Sequence, residues 1–199
     1  MEKIILASAS PRRSEILKNI GLRFDIVVSD ADESSISENC PAELYVQGLA
    51  LLKAAAAAKK TECEKDGVVI AADTVVVLDG KILGKPKDRE DAAEMLRMLS
   101  GREHSVITGI CVLRLKDAFS VCESVVTKVK FKDLSPELID LYVATNEPLD
   151  KAGAYGIQGK GAILAERIDG DYFNVVGLPV SRLCEILQSE FGIDVLKEN

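Results

Sequence analysis

The stretch Ile4-Ile5-Leu6-Ala7-Ser8-Ala9-Ser10-Pro11-Arg12-Arg13-Ser14-Glu15-Ile16-Leu17-Lys18-Asn19-Ile20-Gly21 changes its period partway along. Its first four residues are an unbroken apolar run, the pattern of a short strand buried on both faces. Pro11 suits the first turn of a helix and Ser10 suits its N-cap. Ile16, Leu17 and Ile20 then form one apolar helical face, which Gly21 closes. A buried strand running straight into a helix is the unit from which α/β folds are built. The turn between them presents free backbone N–H groups and the positive end of a helix dipole. Ser8 and Ser10 add hydroxyls, and Arg12 and Arg13 add forked cations that match phosphate geometry. The competing reading is a capped surface helix with two solvated arginines.

The same alternation continues along the chain. Phe24 to Val28 reads as a strand and Ser29 to Asn39 as an acidic, serine-rich loop. Pro41 opens a helix to Lys60, whose alanine run has high helix propensity. Val68 to Ala72 is a buried strand ending at Asp73-Thr74. Val75 to Leu78, Asp79-Gly80 and Lys81 to Leu83 form a hairpin with a type I′ turn. Asp88 caps a helix to Leu99. Ser105 to Leu115 and Val121 to Phe131 are two long strands, and Ser135-Pro136 starts a helix to Thr145. Ile163 to Ile168 is a strand, and Pro179 opens a last helix to Phe191. No repeat or linker interrupts this order, so residues 1–199 are expected to form a single α/β domain, a mixed sheet with flanking helices.

Hydrophobic residues make up 47% and charged residues 29% of the 199, as in an ordinary globular chain. The formal net charge of −7 excludes broad nucleic-acid or anionic-membrane binding, so any anion site must be local. The longest apolar stretch, Leu49 to Ala58, contains Lys53 and falls short of the about 20 residues that span a bilayer. No basic leader with an apolar core and cleavage site opens the sequence. Cys40, Cys63, Cys111, Cys122 and Cys184 include no C-x-x-C pair, and buried reduced thiols are expected at Cys111 and Cys122. A cytoplasmic setting fits. His104 is the sole histidine, which leaves little material for zinc or Ser-His-Asp chemistry.

Five further features carry candidate chemistry. Asp73, after an apolar strand, can bind a divalent cation or orient a water, and Thr74 can bond a phosphate or base. Lys85, in Gly84-Lys85-Pro86, is a fixed point charge suited to phosphate, although no Walker loop is present. Asp32-Glu33 offers carboxylates in the acidic loop. Lys53 either snorkels from the alanine-rich helix or reaches a triphosphate. Gly153 to Gly161 holds four glycines in nine residues, and Gln158 within it offers an amide able to read a base edge. Asp171 is a second aspartate in Gly170-Asp171-Tyr172. Each has a plainer alternative: a turn or capping aspartate, a solvated charge, a flexible glycine turn. Together they supply anion donors, acidic metal ligands and a base-reading amide without a side-chain nucleophile. That combination points to attack of water on a nucleotide phosphate.

These residues resemble the Maf family of nucleoside triphosphate pyrophosphatases, also called septum formation inhibitor Maf. The resemblance runs from Leu6 to Pro179. It is carried by Ser8 to Arg13, Leu49 to Ala54, Ala72-Asp73-Thr74, Gly84-Lys85-Pro86, Ala152 to Gly159 and Gly170 to Pro179. It implies a fold similar to the inosine triphosphate pyrophosphatases, with two lobes around a deep cleft. It also implies hydrolysis of a nucleoside triphosphate between the α and β phosphates, with a divalent cation, Mg²⁺ or Mn²⁺. The form Tyr155-Gly156-Ile157-Gln158-Gly159 resembles the dTTP/UTP branch; a 7-methyl-GTP branch differs there. By position, Asp73 matches the family's proton acceptor, and Arg12, Thr74 and Gln158 its specificity positions. Lys53, Lys85 and Glu33 match further cleft residues. The implied phosphate set is Ser8, Ser10, Arg12, Arg13, Lys53 and Lys85, and the implied metal ligands are Glu33 and Asp73. No departure removes a catalytic group; Ala72, where relatives often carry glycine, is a small change. The expected partner is the nucleoside triphosphate, with no nucleic acid and no membrane; the resemblance allows a homodimer and a house-cleaning role. Two rival readings are a nucleotide-binding regulator of cell division and an inosine/xanthosine triphosphate pyrophosphatase.

Overall fold

The computed structural model describes residues 2–37, 39–61 and 66–197; Cys63 lies outside the described residues. Among these, the strands form a seven-stranded mixed sheet with flanking helices. The order is β2 (Asp25–Ile26), β1 (Lys3–Leu6), β3 (Gly67–Leu78), β5 (Glu103–Arg114), β6 (Ser120–Phe131), β7 (Ala165–Asp169), with β4 (Lys81–Leu83) also paired to β3. The helices are α1 (Pro11–Asn19), α2 (Ala42–Lys60), α3 (Arg89–Leu99), α4 (Pro136–Val143), α5 (Tyr172–Val176) and α6 (Val180–Phe191). The chain divides into two compact units. The first comprises Met1–Asp73, Thr108–Val125 and Gly177–Asn199; the second comprises Thr74–Ile107 and Val126–Val176.

In the first unit β1 pairs in parallel with β2 and with β3, in the registers Leu6 to Ile26 and Leu6 to Ile70. Ile5 and Leu6 are fully buried, as their unbroken apolar run requires. Helix α2 lays Ala50, Ala54 and Ala57 against Ile5, Ala7, Val69, Ala71, Cys111 and Leu113. Small side chains let this helix sit low on the sheet, and Gly109 of β5 sets how low. A Cβ there would lie 2.3 Å from the carbonyl oxygen of Val46. Gly109→Ala is therefore expected to destabilise the fold by about 1–3 kcal/mol, since backbone on backbone cannot yield as a side-chain tip does. Urea titration checks this; an unchanged midpoint would show that α2 does not rest there.

Cys111 and Cys122 face each other across the β5–β6 hairpin. The bonds Arg114 N–H to Phe119 O at 2.9 Å and Phe131 N–H to Arg102 O at 3.0 Å, at opposite ends of the hairpin, give the same register. Cys111 is buried and Cys122 half-buried, and the four described cysteines are free thiols.

In the second unit β3 pairs antiparallel with β4 through the expected Asp79-Gly80 turn, where φ is 51° and 76°. Strand β7 pairs antiparallel with β6. The side chain of Asp88 accepts from Asp91 N–H at 2.8 Å and caps α3 as its type predicts. His104 is buried among Phe131 and Tyr155, and its Nε2 lies 2.8 Å from the Tyr155 hydroxyl. Burial holds its pKa down at about 4 from 6.5, with Glu103 pulling weakly the other way. The unfolded chain thus takes up a proton near pH 6.5 that the folded chain refuses until about pH 4. Stability from this group is complete above pH 6.5 and declines through that window, by about 3 kcal/mol at its acid end. Denaturant midpoints measured across it should flatten in His104→Gln; an unaltered pH slope would overturn the assignment.

Three expectations from sequence need correction. Strand β3 runs unbroken through Asp73 and Thr74, because a polar pair ends an apolar run without ending backbone pairing. Strand β2 is shorter than Phe24 to Val28. The acidic loop holds a 3₁₀ turn at Glu33–Ser35, where Asp32 accepts from Ser34 N–H at 3.1 Å. Asp32 is thus a local cap, and Glu33 alone is turned to other use.

Candidate active site

The first unit assembles a charged site from four separate segments. The first is the turn between β1 and α1. Ser10 holds the N-cap position but its side chain makes no capping bond, so its hydroxyl is not committed to the helix. The hydroxyl oxygen of buried Ser8 accepts from Ser10 N–H at 3.2 Å and from Arg13 Nη1 at 3.2 Å. Arg13 Nε donates to the Gly177 carbonyl at 2.7 Å. Ser8 and Gly177 together fix the guanidinium plane. Ser8 is therefore first a positioner of Arg13. Burial lowers the Arg13 pKa, Asp73 and Glu33 oppose that, and Arg12 adds to it. The guanidinium remains charged. Those couplings put both arginines and both carboxylates in one electrostatic neighbourhood.

The second and third segments meet through α2. Lys53 Nζ donates to Asp73 Oδ1 at 2.5 Å and lies 3.1 Å from Glu33 Oε1. The Lys53 and Asp73 side chains are 15% and 14% exposed, Glu33 54%. Lys53 is thus an ion-pair partner of both carboxylates, where sequence suggested a phosphate contact. The alanine face of α2 presses on the sheet and directs this one lysine to β3.

Two carboxylates converging on one ammonium form a place where positive charge is already accepted. Among the described residues no group of three or more His, Cys, Asp or Glu could hold a metal ion. Asp73 and Glu33 fit a divalent cation of the kind held by one or two carboxylates and completed by phosphate oxygens and water. Charge argues the same way. Lys53, Arg12 and Arg13 exceed Asp73 and Glu33 by one positive charge, too little to balance a triphosphate alone.

The other three candidates belong to the second unit. Thr74 is half-buried in β3, Lys85 is exposed after Gly84, and Gln158 is exposed at the start of a 3₁₀ turn, Gly159–Ile163. Asp171 is a cap: its Oδ1 accepts from Phe173 N–H at 2.7 Å. Buried Asn174 ties β5 to β6, its Nδ2 donating to Val106 O at 3.0 Å and to Thr127 Oγ1 at 2.9 Å. The glycine segment is not the flexible turn its composition allows. The side chains of Tyr142 and Glu147 bond its backbone, and sequence gave no sign of this because an isolated Glu-Pro step reads as an ordinary turn.

A family model described as "Maf-like protein" matches residues 3–190. A dTTP/UTP pyrophosphatase of Acetivibrio thermocellus is 57% identical over 202 aligned residues, covering 100% of both chains. Proteins of the same name from Clostridioides difficile and Alkaliphilus metalliredigens are 54% and 51% identical, over 96% and 98% of this chain and 97% and 100% of their own. Among solved structures, a dITP/XTP pyrophosphatase from Mycobacterium abscessus matches with a TM-score of 0.40 at 17% identity, over 66% of this chain and 75% of that one. A HAM1 protein from Coxiella burnetii matches with 0.45 at 18%, over 66% and 73%.

Proposed function

The chain belongs to the Maf-like family, and from that premise we propose that it hydrolyses dTTP and UTP to the monophosphate and pyrophosphate. The observation that carries the reading is the Glu33–Lys53–Asp73 cluster facing the arginines of the β1–α1 turn in electrostatic terms. Arg12, Arg13 and the Ser10 hydroxyl bind phosphate oxygens, and Ser8 with Gly177 O holds Arg13 in place. Lys53 moves from the carboxylates to phosphate as substrate enters, and stabilises charge on the departing pyrophosphate. Once Lys53 has left it, the Asp73 carboxylate accepts the proton of the attacking water. A divalent cation, Mg²⁺ or Mn²⁺, when bound at Asp73 and Glu33, supplies neutralisation of phosphate charge. The roles of Lys85 in phosphate binding and of Arg12, Thr74 and Gln158 in selecting the nucleotide rest on their family positions. Removal of surplus or aberrant nucleotides in a cytoplasm is the cellular setting we propose.

The test is a panel of canonical and modified triphosphates with each metal, products resolved by chromatography. Monophosphate and pyrophosphate in equal amounts, with dTTP and UTP preferred, are expected. Diphosphate and phosphate, or no turnover with either metal, would overturn the reading. Gln158→Ala is expected to lower the preference for dTTP and UTP over dATP by about tenfold, as loss of a base-edge bond does; an unchanged ratio removes Gln158 from base reading.

A further inference from the structure

The segment that carries Gln158 is fastened from below at both ends, and by side chains outside the site just described. Glu147 Oε1 accepts from Gly161 N–H at 3.1 Å and from the Tyr142 hydroxyl at 3.1 Å. Its Oε2 accepts from Lys160 N–H at 3.1 Å. The Tyr142 oxygen in turn accepts from Gly156 N–H at 3.1 Å. One carboxylate and one phenol thus bracket Gln158, two residues before it and two and three after. The segment also closes on itself: a Cβ at Gly161 would lie 2.3 Å from Gly156 O and 2.5 Å from the Tyr142 oxygen. Glu147 is itself anchored, because Lys151 Nζ donates to its carbonyl at 2.6 Å.

The Gln158 amide takes no part in capping the turn that follows it. The bonds to the N–H groups of residues 156, 160 and 161 instead fix the backbone from which that amide projects. We propose that Glu147, acting through Tyr142 and the N–H groups of residues 156, 160 and 161, is a positioning residue for Gln158 and hence sets the enzyme's pyrimidine preference. This rests on Gln158 reading the base. A hydrogen-bonding amide must be held to within about 0.5 Å to discriminate one base edge from another. An anionic acceptor suits this better than a neutral one, since it bonds two N–H groups and a hydroxyl at once. Burial opposes the Glu147 charge, but the Gly161 and Lys160 N–H groups, Tyr142 and Lys151 outweigh it, and its pKa is lowered. Burial raises the Tyr142 pKa, which keeps the phenol neutral and able to donate and accept together.

Glu147→Gln is the informative substitution. It keeps the shape and places an NH₂ against an N–H that needs an acceptor. We expect kcat/KM for dTTP and UTP to fall about tenfold and that for dATP to fall less than about twofold. Tyr142→Phe, which keeps the ring and removes the bonds to Gly156 N–H and to Glu147 Oε1, should move the same ratio in the same direction and provides the readout if Glu147→Gln folds poorly. Combined with Gln158→Ala, Glu147→Gln should lower the preference no further than Gln158→Ala alone. Equal losses for all three nucleotides, or an additive double variant, would reduce Glu147 to a structural part and sink the proposal. A preference altered by Gln158→Ala but not by Glu147→Gln or Tyr142→Phe sinks the positioning role alone. A preference unaltered by Gln158→Ala sinks the base-reading premise, and the proposal with it.

Discussion

Asp73→Asn is expected to lower kcat by about 10³-fold while leaving the fold and KM nearly unchanged, the size of effect seen when a general base is removed. The amide has the carboxylate's shape, and its oxygen can still accept from Lys53. It cannot accept a proton from water near neutral pH. At saturating metal the loss should therefore fall on kcat, because phosphate contacts from the β1–α1 turn do not involve this side chain and Glu33 still offers the cation a carboxylate. Steady-state kinetics beside a thermal melt separate the outcomes. A folded variant within tenfold of the parent would move the proton acceptor elsewhere, and a raised KM with unchanged kcat would make Asp73 a binding group.

Lys53→Met should lower kcat/KM by about 10²-fold, comparable to deleting one charged donor at a site of developing negative charge. Its second consequence is less ordinary. Lys53 occupies the place where Asp73 and Glu33 converge, so it competes with any divalent cation for the same oxygens. Without nucleotide, the variant should bind Mn²⁺ more tightly than the parent while turning over substrate more slowly. Calorimetric titration of both proteins measures this. Weaker Mn²⁺ binding in the variant would show that the carboxylates need Lys53 to stay together, and would remove them as the metal pair. Lys53→Arg should not restore activity, because a planar fork cannot replace a point charge set between two carboxylates.

What could be read from sequence was local. The strand-to-turn-to-helix unit at Ile4–Gly21, the Asp79-Gly80 hairpin and the Asp88 cap each depend on a few neighbouring residues, and each is where its residue types put it. The chemistry was legible as an inventory: anion donors near residue 10, a lysine on α2, carboxylates at 33 and 73. Its connections were not. That Lys53 pairs with Asp73 follows from how low α2 sits on the sheet, which depends on Gly109 meeting Val46. That Asp32 caps its own turn while Glu33 reaches Lys53 depends on one 3₁₀ turn inside a loop. The fastening of the glycine segment by Tyr142 and Glu147 has no periodic signature at all. It arises where α4 ends and the chain doubles back, so no window of sequence contains both partners in a recognisable pattern.

The shared ion pair at Lys53 also bears on how this chain can drift. Lys53 and Asp73 stand 20 residues apart and come from different elements, with Glu33 from a third. Replace the lysine by a neutral residue and two carboxylates face each other uncompensated. Replace Asp73 and the lysine keeps only its more exposed partner. Loss of either carboxylate leaves one cation facing one anion, whereas loss of the lysine leaves two like charges, so the lysine is the member whose neutral replacement electrostatics opposes most. A surface loop can vary one residue at a time without preference; here drift is lopsided, because charge balance resists the path that begins at the lysine and leaves the carboxylates to be held by the chemistry proposed for them.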